Sequence, residues 1–242
     1  MSLRSRDEAA AFIIYYIKEF ILTFANIFDV PKGTGSTPVT DTVGRFRSGH
    51  QLNKRPIALT NWRVTTDDPG VAGDIARLFG GEKQEWDSER EPYEVFTTVP
   101  SVEVLVEPNA IHTGMVLYGR AGAIRRCDGE TMTYPAESKG QPCACASFSS
   151  LADRKAAAAN GTGCSPEIII RFRLANEPDL GEFKFVTGSW SMARDIVQVE
   201  AALRACEGTQ KATLSLEHVE FTTKEGQKRS FTKPVLALKG SA

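Results

Sequence analysis

Residues 127–166 read CDGETMTYPAESKGQPCACASFSSLADRKAAAANGTGCSP. The segment holds four of the chain's five cysteines, Cys127, Cys143, Cys145 and Cys164, among small and polar residues. A loop this long with so few apolar side chains cannot order itself by burial. The spacing is C-x15-C-x-C-x18-C. Four thiolates make a complete tetrahedral set for a structural zinc and leave no position for water. One zinc per chain would supply the constraint that burial does not. Unpaired or transiently oxidised thiols and an iron–sulfur cluster are the other readings of the same set. Asp128-Gly129 and Gly163 put turn residues beside the thiols, where backbone amides can turn toward sulfur. The fifth cysteine stands apart: Cys206 continues the helical spacing of Met192, Ile196, Val199 and Leu203, and reads as a small buried apolar residue.

Composition narrows the class. The chain has 242 residues, 41% hydrophobic and 24% charged, enough for a substantial core in a soluble globular protein. A formal charge of −1 argues against capture of nucleic acid by net charge, and no direct sequence-specific DNA binding is expected. An odd cysteine count fits a secreted disulfide framework poorly. In a reducing cytoplasm, the expected compartment, clustered thiols are more often metal ligands.

Residues 9–28, AAAFIIYYIKEFILTFANIF, are about long enough to span a membrane. Lys18 and Glu19 sit at the middle, where each charge costs roughly 2.5–3.5 kcal/mol on insertion. Arg4 and Arg6 give a signal-like start, but Asp7, Glu8 and the lack of a small-x-small cleavage site oppose that reading. No membrane role is expected. Phe12, Ile13, Tyr16, Ile17, Phe20, Ile21, Phe24 and Phe28 cover more than one helical face. Such a helix is a core element, an arm that binds a partner, or a helix that pairs with its own copy in an oligomer. Residues 1–30 therefore read as a hydrophobic helical arm and residues 31–40, with PKGTGSTP, as a linker.

Residues 41–242 read as one α+β, strand-rich body that includes the zinc loop, residues 127–164. GRFRSGHQLNKRP, with Arg45, Arg47, His50, Lys54 and Arg55, is the one concentrated basic patch and reads as a surface loop. PIALTNWRVTT, YEVFTTV, VEVLVE, GMVLYG, EIIIRFRL and GEFKFVTG read as strands, and ATLSLEHVEFTT with KRSFTKPVLALK as a closing hairpin about Glu225-Gly226. Between them, Asp67 or Asp68 caps a helix with Pro69 in its first turn, a stripe of Val71, Ile75 and Leu78, and Gly80 as its stop. Ser191 is the candidate cap of a second helix, which runs to Gly208.

Catalytic patterns are weak. Pro142-Cys143-Ala144-Cys145 and His218-Val219-Glu220 resemble parts of a zinc deaminase signature, but the cysteine spacing and the order along the chain are wrong. Gly188-Ser189-Trp190-Ser191 lacks the G-x-S-x-G pattern of a hydrolase elbow. Trp62, Trp86 and Trp190 are scattered, without the basic interleaving of a single-strand binding surface.

DTVGRFRSGHQLNKRPIALTNWRVTTDDPGVAGDIARLFGG, the later PCACA and GC elements, and FRLANEPDLGEFKFVTGSWSMARDI resemble the recombination directionality factors of Streptomyces temperate phages. The likeness covers roughly residues 41–240. It implies a non-enzymatic protein in the host bacterial cytoplasm that binds a phage large serine integrase at its C-terminal zinc-ribbon and coiled-coil region. Integration between the phage and bacterial attachment sites would be inhibited, and excision between the left and right hybrid sites switched on. The contact residues expected for that partner are Phe12, Ile13, Tyr16, Phe20 and Phe24 of the arm, then Arg45 and Arg47. The competing reading is a zinc-dependent hydrolase acting on nucleic acid or nucleotides.

Overall fold

The computed structural model describes residues 42–53, 55–223 and 226–242. The arm, with Phe12, Ile13, Tyr16, Phe20 and Phe24, the linker, Lys54 and Glu225 lie outside the described residues. These form the strand-rich α+β body expected from the sequence, with twelve strands and three α-helices among them. No helix among them is long and apolar enough to cross a membrane.

The described residues group into two compact units. The chain passes from one to the other between Ile111 and His112, and returns between Glu167 and Ile168.

The larger unit is built on a sheet. Its strands are β1 (Gly44–Leu52), β2 (Arg55–Thr66), β3 (Lys83–Glu85), β4 (Tyr93–Phe96), β5 (Ser101–Val106), β9 (Ser165–Leu174), β10 (Glu177–Thr187), β11 (Gln210–Thr222) and β12 (Lys228–Ser241). Their order is β12-β11-β5-β9-β10-β1-β2-β4-β3. Only the β1–β10 pairing in this run is parallel, with Phe46 opposite Phe185. The Arg45-Phe46-Arg47 segment is thus a strand and not the surface loop read from its charge. Period-two alternation puts Phe46 into the core and leaves both arginines half-buried on the other face.

Phe46 is the hub of an aromatic core. Its ring meets Trp62, Phe79, Phe172 and Phe183 edge-on, at centroid separations of 5.3–6.5 Å. Trp62 meets Phe185 in the same way at 5.2 Å. Such offset contacts put the positive edge of one ring on the negative face of the next.

Two helices belong to this unit. In α1 (Pro69–Phe79), the Asp68 side chain accepts from the amides of Gly70 and Val71, and Gly80 ends the helix at φ 72°. Its buried face is Val71, Ala72, Ile75 and Phe79, so Phe79 takes the place expected for Leu78. The next residue, Gly81, admits no side chain, since a Cβ there would lie 2.1 Å from the Phe96 carbonyl oxygen. The later helix (Trp190–Arg204) is capped by Ser189, which accepts from the Met192 amide, and not by Ser191. It ends at Arg204. Cys206 therefore falls beyond the helix and is only half-buried, contrary to the apolar-stripe reading. Val197 and Glu200 are buried where the four-three spacing favoured Val199.

Arg63 and Glu94 form a buried ion pair in this unit. Arg63 Nε donates to Glu94 Oε2 at 2.6 Å, with both side chains more than nine-tenths buried, and the guanidinium lies 4.2 Å from the Trp86 ring centroid. The ring face and the carboxylate together replace the water that the charge gives up.

Arg45 and Arg47 share one carboxylate. Arg47 donates to Glu91 Oε2 at 2.6 Å, Arg45 lies 3.5 Å from Glu91 Oε1, and Thr65 Oγ1 donates to Oε2 at 2.5 Å. Burial pushes the Glu91 carboxyl up, but the bonds from Thr65 and Arg47 and the charge of Arg45 outweigh it and hold it below the usual carboxylate range. Because the folded value is depressed, the stabilisation is present above the unfolded carboxylate pKa and is lost as pH falls through the folded one. Glu91→Gln is expected to cost about 1–2 kcal/mol at neutral pH, the worth of charge-assisted bonds at a half-buried site. In urea melts run from neutral to acid pH, its deficit should start to shrink as the pH falls below the ordinary glutamate value of about 4.3 and go on shrinking through the lower folded one, where wild type also loses the charge. A deficit that does not change with pH would show the carboxylate charge to be irrelevant.

A ribbon extends past the rest of the sheet. β5 pairs with β11 only from Gln210 to Ser215, whereas β11 and β12 stay paired out to Thr222 and Lys228. On this two-stranded end, Phe221 and Phe231 meet edge-on at 6.1 Å while 47% and 44% exposed.

Candidate metal centre

The smaller unit, residues 112–167, opens with an antiparallel meander of β6 (Ile111–Gly119), β7 (Gly122–Cys127) and β8 (Met132–Tyr134). Two short 3-10 turns follow, Ala136–Ser138 and Ala144–Ser147, and then α2 (Leu151–Ala159). The segment read from the sequence as one irregular loop therefore has elements of its own. Ser150 caps α2 by accepting from the Asp153 amide, and Asp153 returns a carboxylate to the Ser150 hydroxyl at 2.6 Å. That S-x-x-D pattern before a run of alanines was the signal for a helix. Apolar burial nevertheless stays as sparse as the composition suggested. α2 buries only Arg154 and Ala157.

Each cysteine is placed by a different piece of local structure. Cys127 ends β7. Asp128 Oδ1 accepts from the amides of Glu130 and Thr131 at 2.9 and 2.7 Å, making the tight turn that follows. The Asp128 turn thus spends these amides on its own carboxylate and not on sulfur. Cys143 precedes the second 3-10 turn, with its amide on the Glu130 carbonyl at 2.6 Å, and Cys145 lies inside that turn. Cys164 follows a turn hung on α2, where Ala157 O accepts from the Thr162 and Gly163 amides, each at 2.9 Å. Only glycine fits at 163, because a Cβ would stand 2.8 Å from the Ala157 Cβ. Arg154 ties the Asp128 turn to α2 by donating to the Gly129 carbonyl at 3.1 Å.

These placements converge. The four sulfurs all lie within 4.8 Å of one another and all four residues are buried. None of the five cysteines forms a disulfide. Zinc–sulfur bonds of about 2.3 Å at tetrahedral angles put ligand sulfurs about 3.8 Å apart, so the set has the dimensions of a single-ion site. A multi-iron cluster would spread its ligands wider.

The donor chemistry fits the same ion. Hydrogen bonds from Cys127 and then Cys164 outweigh burial and hold Cys145 well below the ordinary thiol range. The bond that Cys127 gives to Cys145, reinforced by Cys164 and burial, pushes Cys127 far above the ordinary thiol range. Cys164 accepts from Cys127, which pulls it down, but its bond to Cys145 and its burial win and leave it at about 12. Four thiolates repel in so small a volume, and a divalent cation is what would let all of them ionise. Two further N–H groups already point at sulfur. The Cys164 amide lies 3.4 Å from Cys145 Sγ, and Arg125 Nε lies 3.4 Å from Cys164 Sγ. The sequence reading missed Arg125, although its position two residues before Cys127 on a strand puts it on the same face.

Other sequence-level candidates lie elsewhere. His218 and Glu220 are exposed on β11 of the larger unit, 3.3 Å apart, on a strand as their spacing suggested. Arg45 and Arg47 are on β1 with Glu91.

No solved structure matches this chain. A family model described as Gp3-like, recombination directionality factor-like, matches residues 43–239. It takes in both units and all four clustered cysteines, and on that breadth of match the chain belongs to the Gp3-like family of recombination directionality factor-like proteins.

Proposed function

We propose that this chain binds a phage large serine integrase and switches it from integration to excision, with one structural zinc held by Cys127, Cys143, Cys145 and Cys164. The family match over residues 43–239 carries the reading. The zinc part rests on four buried sulfurs within 4.8 Å of one another. Four protein ligands complete a tetrahedron, which suits a structural ion and gives no position to an attacking water, so nothing favours the hydrolase alternative. The chain acts by binding, in the host cytoplasm. It need only bind one arrangement of the integrase coiled coil better than another. A differential of about 2–3 kcal/mol shifts the ratio of synaptic complexes by one to two decades.

The arm is the leading contact surface, with Phe12, Ile13, Tyr16, Phe20 and Phe24, because an apolar helix suits a coiled-coil groove. Arg45 and Arg47 are the second.

Purified full-length protein added to its integrase should permit recombination between the left and right hybrid sites and suppress it between the parental sites. The effect should saturate near stoichiometric amounts, since a binder that biases an equilibrium does not turn over. It should vanish with an integrase lacking its coiled coil, and bare DNA should show no shift at physiological salt. Polar replacements at Phe12, Ile13, Phe20 and Phe24 should weaken association and leave the body folded. Absence of integrase binding at micromolar concentrations would sink the proposal, and activity at trace amounts would replace it with an enzymatic one.

A further inference from the structure

β7 presents two different faces to its surroundings. Arg126 points to one side and pairs with Glu167, whose other carboxylate oxygen accepts from the Tyr118 hydroxyl at 2.7 Å. Arg125 points to the other, with Cys127. Its guanidinium makes two contacts at once: Nε to Cys164 Sγ at 3.4 Å, and a terminal NH2 to the Thr162 carbonyl at 2.7 Å. The second bond fixes the fork, so the first is directed and not incidental. Residues 125 and 164 are 39 apart in sequence, and the contact closes the segment that holds the other ligands.

We propose that Arg125 is a positioning residue of the metal centre: it holds the Cys164 sulfur in place and offsets part of the charge of the tetrathiolate set. The inference rests on the zinc reading above. A zinc ion with four thiolates carries a net charge of −2, and a guanidinium donating to one sulfur brings the group to −1. An N–H bond to a ligating sulfur also stabilises its anionic form, which slows its attack on electrophiles and opposes the protonation that releases a thiolate from its metal. Cys145 has the Cys164 amide for this purpose. Cys164 has Arg125, and is the ligand most exposed to the loss of a single side chain.

The test uses full-length protein loaded with cobalt, whose sulfur-to-metal charge-transfer band reports thiolate ligation. Wild type, Arg125→Ala, Arg125→Lys and Arg126→Ala are compared for metal loss to excess EDTA and for iodoacetamide labelling mapped by mass spectrometry. Arg125→Ala should release the metal about tenfold faster or more, in the range usual for removing a partner of a metal ligand. Its Cys164 should be labelled ahead of the other three. Arg125→Lys, which keeps the charge but not the fork, should fall between it and wild type. Arg126→Ala, which removes the same charge from the opposite face, should behave as wild type. Equal release from all four proteins would overturn the inference and leave the zinc reading standing. Lower thermal stability of Arg125→Ala with wild-type release would do the same, and Arg125→Lys decides if Arg125→Ala does not fold. Absence of a charge-transfer band from wild type would instead overturn the zinc reading.

Discussion

Cys145→Ser should abolish zinc binding and cost several kcal/mol, the largest effect expected of any single change in the smaller unit. Structural zinc contributes about 10–16 kcal/mol of binding energy in small domains, and that energy is folding energy wherever the site does not exist in the unfolded chain. Here the dependence is expected to be strong because the four proposed ligands come from a strand end, a 3-10 turn with the residue before it, and the residue after the α2 turn, with little apolar burial between them. Cys145 Sγ also accepts the Cys164 amide, so serine would lose a ligand and disturb its neighbour. Elemental analysis of fresh, reduced wild type should give about one zinc per chain, and of the variant less than half of that. Cys206→Ser should keep the full amount. Hydrogen exchange in the variant should rise within residues 112–167 and much less in the larger unit, which has its own aromatic core. Wild type without zinc when purified under reducing conditions would remove the metal from the account altogether.

Phe46→Ala should destabilise the larger unit by about 3–5 kcal/mol, the usual cost of truncating a fully buried aromatic residue. Phe46 is fully buried and meets four rings, so the cavity would open at the centre of the packing, and rings held by three separate strands and α1 cannot close over it. Phe46→Leu should cost less, because the smaller void leaves less to collapse. Urea denaturation followed by tryptophan fluorescence would measure both, since Trp62 is one of the four neighbours. Alanine at Phe221 or Phe231, both nearly half exposed, should cost under about 1 kcal/mol. An equal loss at Phe46 and Phe221 would mean that the aromatic cluster is not the core.

Local chemistry was well written into the chain. The strand-rich class followed from alternating runs, and β2, β5, β9, β10, β11 and β12 lie where those runs lie. The Asp68 cap, Pro69 and Gly80 bounded α1, because caps and breakers act within one helical turn. The four thiols grouped themselves by composition, since so polar a stretch needs some other source of order. The errors came where two local signals competed. Charge hid the strand at Arg45-Phe46-Arg47, although a single phenylalanine between two outward arginines already carries the alternation. Cysteine spacing drew attention from the S-x-x-D cap of α2. Helical spacing carried Cys206 into a helix that ends at Arg204.

Relations between distant residues were a different matter. Nothing in the chain pairs Arg125 with Cys164, sets Glu91 between Arg45 and Arg47, or puts Arg63 between Glu94 and Trp86. Periodicity records which face of an element is buried. It does not record which other element will cover that face, because strand order and register are settled by the packing of whole faces against one another. The grouping of four cysteines was therefore legible from residues 127–164, whereas what places each of them had to wait for the fold.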